Sequence, residues 1–366
     1  MKRVRIVFIL FFFLLCLKTK WTVANAAESF ELHVLDVGQG QCVFVKMDDR
    51  YLLFDGGGRA ASSFVISYLK QQKINKLDYV AISHYDEDHM SGIIGVLNVF
   101  PCDTLLVPGY VGEGDLYQSL AVAALSNGCT MFHPNVGTSW DVGTGNIQVL
   151  CPIRDDYGTD NDMSLGFRIG FGDIHCLICG DAEKSSEIDM VNSEMDLSGD
   201  LYIVDHHGSS TSSMDSFLDA MNPSYAIISC GKDNEYGHPS IETMLRLQNH
   251  KISVFRTDEQ GTIIAYSDGN DIWFNVAASE YSTPGNYFLI DENGQDETTK
   301  QIQNRTVEVR EKEDDHQYVC NTNTKKFHNP DCNSVNQIKE ENKLVTDLDR
   351  DELIAQGYEP CGSCKP

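Results

Sequence analysis

Short apolar runs separated by polar turns and amphipathic stretches recur along the chain from Glu31 to about Ala278. They predict strands at Leu32–Val37, Cys42–Lys46, Tyr51–Phe54, Tyr79–Ser83, Thr104–Val107, Ile147–Leu150, Leu165–Ile169, His175–Cys179, Leu201–Val204, Tyr225–Ser229, Ile252–Phe255 and Thr262–Tyr266. Helical spacing predicts helices over 61–72, 91–99, 116–126, 183–195, 213–221 and 240–249. Asp115 and the Ser-rich stretch 209–213 supply N-cap side chains for two of them. Several strands come first and helices enter between later ones, so the class expected is α/β (α+β), with sheets layered by helices.

The pattern changes at both ends. Residues 1–26 open with Lys2, Arg3 and Arg5, continue with the apolar run Ile6–Leu17 and finish in Ala24-Asn25-Ala26. A dozen residues make about 18 Å of helix, too short for a hydrocarbon core of about 30 Å. Positive head, short apolar run and small-x-small finish predict a cleaved signal peptide, and therefore a secreted or cell-surface protein. The stretch 279–317 is polar, acidic and aperiodic and reads as a linker. A compact tail, 318–366, follows. The organisation expected is a signal peptide at 1–26, a main domain at 27–278, a linker at 279–317 and a small domain at 318–366.

Composition narrows the classes. With 42% hydrophobic and 22% charged residues, the 366-residue chain is neither disordered nor fibrous. A formal charge of −26 removes any general basic coat for nucleic acid. Export makes disulfides possible, yet Cys42, Cys102, Cys129, Cys151, Cys176, Cys179 and Cys230 lie mostly inside apolar runs and read as small buried hydrophobes.

Chemistry concentrates where apolar runs end. Ser83-His84-Tyr85-Asp86-Glu87-Asp88-His89-Met90-Ser91-Gly92 follows Tyr79–Ile82 and precedes a helical run. His84, Asp86, Asp88 and His89 thus enter one short loop, where alternate residues 84, 86 and 88 face one way on extended backbone and His89 turns into the helix. Imidazoles and carboxylates at that density suit Zn²⁺, Mn²⁺ or Fe²⁺ better than a loop whose aspartate merely caps a helix. Asp36 and Asp55 close two strands at glycine turns, Asp181 ends another, and His206-His207-Gly208 and Gly237-His238-Pro239 follow two more.

DVGQG, FDGGG, SHYDEDHMSG, NDMSLGFRI, ICGD, HHGSSTS, YGHP and FRTDEQG occur in this order over residues 31–275. Together they resemble the metallo-β-lactamase-fold domain of the competence protein ComEC and its stand-alone relatives. The resemblance implies a four-layered αβ/βα sandwich with two divalent ions, Zn²⁺ or Mn²⁺, at one edge. Position by position, it implies that His84 and Asp86 hold one metal, Asp88 and His89 the second, and that Asp181 bridges them. His238 takes the place of the last histidine ligand, and His206 or His207 is a further ligand or a proton donor. Asp36 and Asp55 would orient loops and ligand imidazoles. Asn161 and Ser164 stand where many members of the wider superfamily carry another histidine, and Gln41 where the subgroup commonly has an acidic residue. Asp86, often histidine in the superfamily, hardens the site toward Mn²⁺. Hydrolysis is the implied reaction, with Asp88, His206 and His207 as the catalytic set.

In the tail, His328 and Cys332 form an H-x3-C pair and Cys361 and Cys364 a C-x2-C pair, the layout of a closed tetrahedral Zn²⁺ site. Disulfides among these cysteines and Cys320 are the competing expectation. KFHNPDC and GYEPCGSCKP resemble the metal-binding module of the DNA-repair protein Ada, with His328 at a cysteine position, so the small domain is expected to be zinc-binding. The leading expectation is a two-metal hydrolase of phosphodiesters, a DNase on extracellular DNA related to DNA uptake, with no membrane channel of its own. A cell-envelope phosphodiesterase or esterase acting on teichoic-acid phosphocholine, and a non-catalytic DNA-binding scaffold, are the alternatives.

Overall fold

The computed structural model describes residues 29–280 and 318–364, the latter without 331, 340–341, 347–352, 354–357 and 363. The segment 1–26 and all but the first two residues of 279–317 lie outside the described residues. The rest falls into two compact units, one within 29–280 and one within 318–364.

In the first unit the strands are β1 Phe30–Val34, β2 Val43–Met47, β3 Arg50–Phe54, β4 Leu77–Ala81, β5 Cys102–Leu106, β6 Thr130–Phe132, β7 Ser139–Val142, β8 Gly145–Cys151, β9 Gly166–Phe171, β10 Ile174–Ile178, β11 Leu201–Ile203, β12 Tyr225–Ile228, β13 Ser253–Arg256, β14 Ile263–Ser267 and β15 Ile272–Phe274. They build two sheets, ordered β15-β14-β1-β2-β3-β4-β5-β6 and β13-β12-β11-β10-β9-β8-β7. The helices are α1 Ser62–Gln71, α2 Glu87–Leu97, α3 Gly114–Asn127, α4 Lys184–Asn192, α5 Asp215–Met221, α6 Ile241–Asn249 and the single turn α7 Thr257–Gln260.

Strand periodicity sorts the side chains into layers. On β2, Val43, Val45 and Met47 face the second sheet, while Phe44 faces α1 and α2. On β10, Cys176 and Ile178 face the first sheet, and Leu177 faces the helices of the other side. Each central strand is buried on both faces, which is why it reads as a continuous apolar run. The result is the expected helix–sheet–sheet–helix sandwich. β3 to β6 run parallel, as do β10 to β13. Their carboxyl ends are where α/β sheets gather ligand-binding side chains.

In the first unit three strands escaped prediction: Thr130–Phe132, Ser139–Val142 and Ile272–Phe274. Each is a short, partly exposed strand at the edge of its sheet. The two capping expectations also fail. α3 starts at Gly114 behind Glu113, leaving Asp115 inside the first turn. α5 starts behind Met214, and the carboxylate of Glu187 accepts from the Ser213 and Met214 N–H groups at 2.5 and 2.8 Å in place of a serine cap.

The second unit is a four-stranded sheet of β16 Tyr318–Asn321, β17 Lys326–His328, β18 Lys343–Thr346 and β19 Glu359–Pro360, in the order β18-β16-β17-β19. Cys320 packs with Tyr318, Phe327, Leu353 and Tyr358, so it is a core residue and not a bridge. The described cysteines are all free thiols. Among the described residues no helix is long and apolar enough to cross a membrane.

Candidate metal centre

The strand β4 hands the chain to Ser83-His84-Tyr85, and α2 begins at Glu87 rather than at 91. Asp88 therefore projects from the first helical turn, beside His89, and not from extended backbone. Asp86 is the N-cap in extended conformation, but its side chain makes no cap hydrogen bond and lies 3.7 Å from His84 Nε2. Close backbone packing fixes this turn. A Cβ on Gly40 would stand 2.3 Å from the Asp88 carbonyl oxygen, and one on Gly92 would stand 1.8 Å from that of Gly56, so glycine is required at both.

Asp55, fully buried with φ +56°, organises the histidines. Its Oδ1 accepts the Ser83 N–H at 2.8 Å. Its Oδ2 accepts from Ser83 Oγ at 2.8 Å, His89 Nδ1 at 2.8 Å and Gln41 Nε2 at 3.2 Å. Holding the His89 proton at Nδ1 turns Nε2 into the site, the usual way a carboxylate orients a ligating imidazole. Gln41 is thereby explained: buried beside the Asp55 carboxylate, it donates where an acidic residue would repel. His84 is set by Ser83 Oγ at 3.0 Å and Ser164 Oγ at 3.4 Å, both on Nδ1. Its Nε2 is buried without a partner. Ser164 also accepts the Asp181 N–H at 3.2 Å, so it positions two neighbours.

The second sheet supplies the rest. Asp181 follows β10 and is almost wholly buried. Its Oδ1 lies 3.2 Å from His89 Nε2 and its Oδ2 3.4 Å from His207 Nε2. After β11, His206 and His207 take left-handed φ values of +49° and +56°, an uncommon and costly pair for non-glycine residues. That backbone sends the two rings apart. His207 is buried, gives its Nδ1 proton to the Ser229 carbonyl at 2.9 Å and aims Nε2 at His89 Nε2, 3.2 Å away, and at Asp88 Oδ2, 3.5 Å away. His206 stays near the surface, with Nδ1 3.1 Å from Glu183 Oε1 and Nε2 3.7 Å from Asp181 Oδ2. His238 is half-buried with Nδ1 unpartnered, stacked under the exposed ring of Tyr236 at 5.7 Å.

Two sets of three ligand atoms thus converge, His84/His89/Asp181 and Asp88/His89/His207, each within 4.8 Å. Asp86, His206 and His238 surround them without joining either set. Asp36 is exposed and accepts only the Gly38 N–H of its own turn, so it shapes that loop and touches no imidazole. Asn161 lends its carbonyl to the Ser164 N–H at 3.0 Å, and its side chain bonds Glu183. Sequence reasoning missed Glu183 and Ser83, because neither carries a ligand-like spacing.

Electrostatics agree with a cation site. Burial opposes charge on His89, but Asp181 and Asp55 outweigh it and hold the imidazolium well above its ordinary range. Burial likewise opposes charge on His207, and Asp181 and Asp88 lift it to about 9. Burial and then the nearby His206 and His207 push His238 down to about 4, keeping it neutral. Burial raises Asp88, yet His207 and His89 bring it down to about 2. Buried carboxylates with unpartnered lone pairs beside them fit divalent metals.

In the second unit, His328, Cys332, Cys361 and Cys364 also lie within 4.8 Å, and His328 Nδ1 is buried without a partner. This cluster fits a zinc module.

Residues 35–232 match the family described as the metallo-beta-lactamase superfamily. The chain is 30% identical over 252 residues to ComE operon protein 3 of Bacillus subtilis (strain 168), covering 64% of this chain and 32% of that one. It is 31% identical over 235 residues to competence protein ComA of Neisseria gonorrhoeae, covering 63% and 31%. Recombination protein 2 of Haemophilus influenzae is 28% identical over 255 residues, covering 68% and 30%. The chain spans about a third of the length of these curated relatives. Among solved structures, the metallo-beta-lactamase fold protein YhfI from Bacillus subtilis aligns with a TM-score of 0.43 at 14% identity, over 68% of this chain and 100% of that one.

Proposed function

The chain belongs to the metallo-beta-lactamase superfamily, and from that premise we propose that it is an exported phosphodiesterase whose substrate is extracellular DNA. The observation that carries hydrolysis is the convergence of His84, Asp88, His89, Asp181 and His207 from two sheets on one edge. The direction toward DNA comes from relatives named as competence and recombination proteins. Export rests on the pattern of residues 1–26.

Divalent cations in such a site supply Lewis acidity toward a phosphoryl oxygen and lower the pKa of water toward 7. This chain's own residues hold and orient. His84 and Asp181, with Asp86 beside His84, would hold one cation, and Asp88 and His207 the other, with His89 common to both clusters. Asp181 places one oxygen 3.2 Å from His89 Nε2 and the other 3.4 Å from His207 Nε2, so its carboxylate lies within reach of both clusters. The converging imidazoles and carboxylates, from His84, His89, His207, Asp88 and Asp181, suit Zn²⁺ or Mn²⁺. His206 is the better proton donor of the two neighbours. Glu183 holds its Nδ1, while Nε2 faces the site from a partly exposed ring, ready to protonate a departing oxygen.

The test uses the full chain and Asp88→Ala with Mn²⁺ or Zn²⁺, on single- and double-stranded DNA and on bis(p-nitrophenyl) phosphate. Metal-dependent DNA cleavage that the variant lacks is the expected result. Turnover of the small diester alone would replace DNA with a cell-envelope diester, and metal binding without turnover of any substrate would leave the scaffold reading.

A further inference from the structure

A cavity of about 320 Å³ opens where the loops after β5, β6 and β8 meet. Its size is at the low end of small-molecule pockets, about 300–1,000 Å³, room for one ring system and not for a duplex. It adjoins the metal centre through two of its walls. Met163 lines it and precedes Ser164, whose Oγ touches His84. Gly109 lines it and precedes Tyr110, whose hydroxyl accepts the N–H of Tyr85 at 3.3 Å.

The lining combines proline and aliphatic surfaces with four polar side chains: His133, Asn135, Arg154 and Asp155. His133 gives Nδ1 to the Val107 carbonyl at 3.2 Å, and Nε2 lies so close over Gly109 that a Cβ there would stand 2.7 Å away. Arg154 is fixed by its ion pair with Asp189 and by the Tyr157 ring, 4.9 Å from the guanidinium carbon. That pair uses two of the five guanidinium N–H groups. Arg154 and Asp155 offset each other, so a bare phosphate gains little here. A planar ring with donors and acceptors on its edge matches apolar walls and mixed polar groups. A quaternary ammonium does not, since no Phe, Tyr or Trp lines the cavity.

We infer that this cavity binds one unpaired nucleobase of the substrate, beside the phosphodiester at the metal centre. The inference rests on the DNA reading and deepens it: a base can enter only from single-stranded or locally opened DNA.

Binding separates the two claims, because it needs no turnover. The Mn²⁺-loaded full chain is titrated with 2′-deoxyguanosine 5′-monophosphate, deoxyribose 5-phosphate and phosphocholine, with DNA cleavage assayed in parallel. The nucleotide should bind at least tenfold more tightly than the base-free sugar phosphate. Asn135→Trp, a bulky change at an exposed rim position, should abolish that preference while circular dichroism stays unchanged. Asp155→Ala, which adds no bulk, should reduce it several-fold and serves if the first variant misfolds. Equal binding of nucleotide and sugar phosphate, a preference that survives both variants, or tighter phosphocholine binding would overturn the inference. A base preference lost in the variants with no DNA cleavage would sustain the base site and sink the nuclease reading. DNA cleavage without any base preference would do the reverse.

Discussion

Asp55→Asn changes one atom in a residue that offers no ligand of its own to either cluster, and it should still cost metal affinity. The carboxylate accepts four hydrogen bonds: from the Ser83 N–H, Ser83 Oγ, His89 Nδ1 and Gln41 Nε2. An amide has one accepting oxygen and a donating NH₂. Whichever way it turns, at least one present donor faces another donor. If that donor is His89 Nδ1–H, a cation-bound ring could relieve the clash only by moving its proton to Nε2, which removes the lone pair the cation would need. A hydrogen bond to a charged group is worth about 1.5–3 kcal/mol. Loss of a partner that orients a metal-bound histidine typically weakens binding about 10–100-fold, or about 1.4–2.7 kcal/mol. The two scales agree, so Kd for Mn²⁺ or Zn²⁺ should rise by one to two decades. Calorimetry against a competing chelator reads this, with thermal melts as the control for folding. Wild-type Kd in a folded Asp55→Asn protein would refute the assignment of Asp55 as the group that fixes His89.

Other expectations follow from single features. The His33 hydrogen bond, opposed by burial and helped by Lys46, holds Glu31 down at about 2 from 4.5. Its stabilising contribution is therefore present above pH 4.5 and lost as pH falls toward 2, and Glu31→Gln should flatten that limb of a Tm–pH curve. His328→Ala should lower zinc content by one equivalent and open 318–366 to proteolysis while 29–280 stays resistant, since structural zinc contributes about 10–16 kcal/mol to folding such modules. Phe167, buried where it meets Phe54 and Trp140, should cost about 3–5 kcal/mol as Phe167→Ala in denaturant unfolding. Tyr236→Ala removes one ring stack from His238, which joins neither ligand set, and should leave the Kd for Mn²⁺ unchanged in the same calorimetry.

Much of this was legible in the chain. Doubly buried strands announce themselves as apolar runs, and the ends of those runs pointed to His84, Asp86, Asp88, His89, Asp181, His206, His207 and His238, of which Asp86, His206 and His238 stand outside the two converging sets. What the residues did not disclose was geometry that depends on a neighbouring strand. Whether His206 or His207 turns inward is decided by two left-handed residues and by the Ser229 carbonyl, which is distant in sequence. The acceptor role of Asp55 needs Gln41 and Ser83 beside it, and the base-sized cavity arises from three loops with no shared motif. The edge strands were missed for another reason: at three or four residues each, they are too short to show a strand period.

His89 and His207 meet at 3.2 Å although 118 residues separate them. A cation gripping both ties the two halves of the sandwich together at one rim, so occupancy and folding share an equilibrium. An ion that binds only the folded state adds about 2.7 kcal/mol when its free concentration is a hundred times Kd. The persistence of this protein in solution would then depend on the mineral content of its surroundings, and depleting divalent ions would shorten its lifetime.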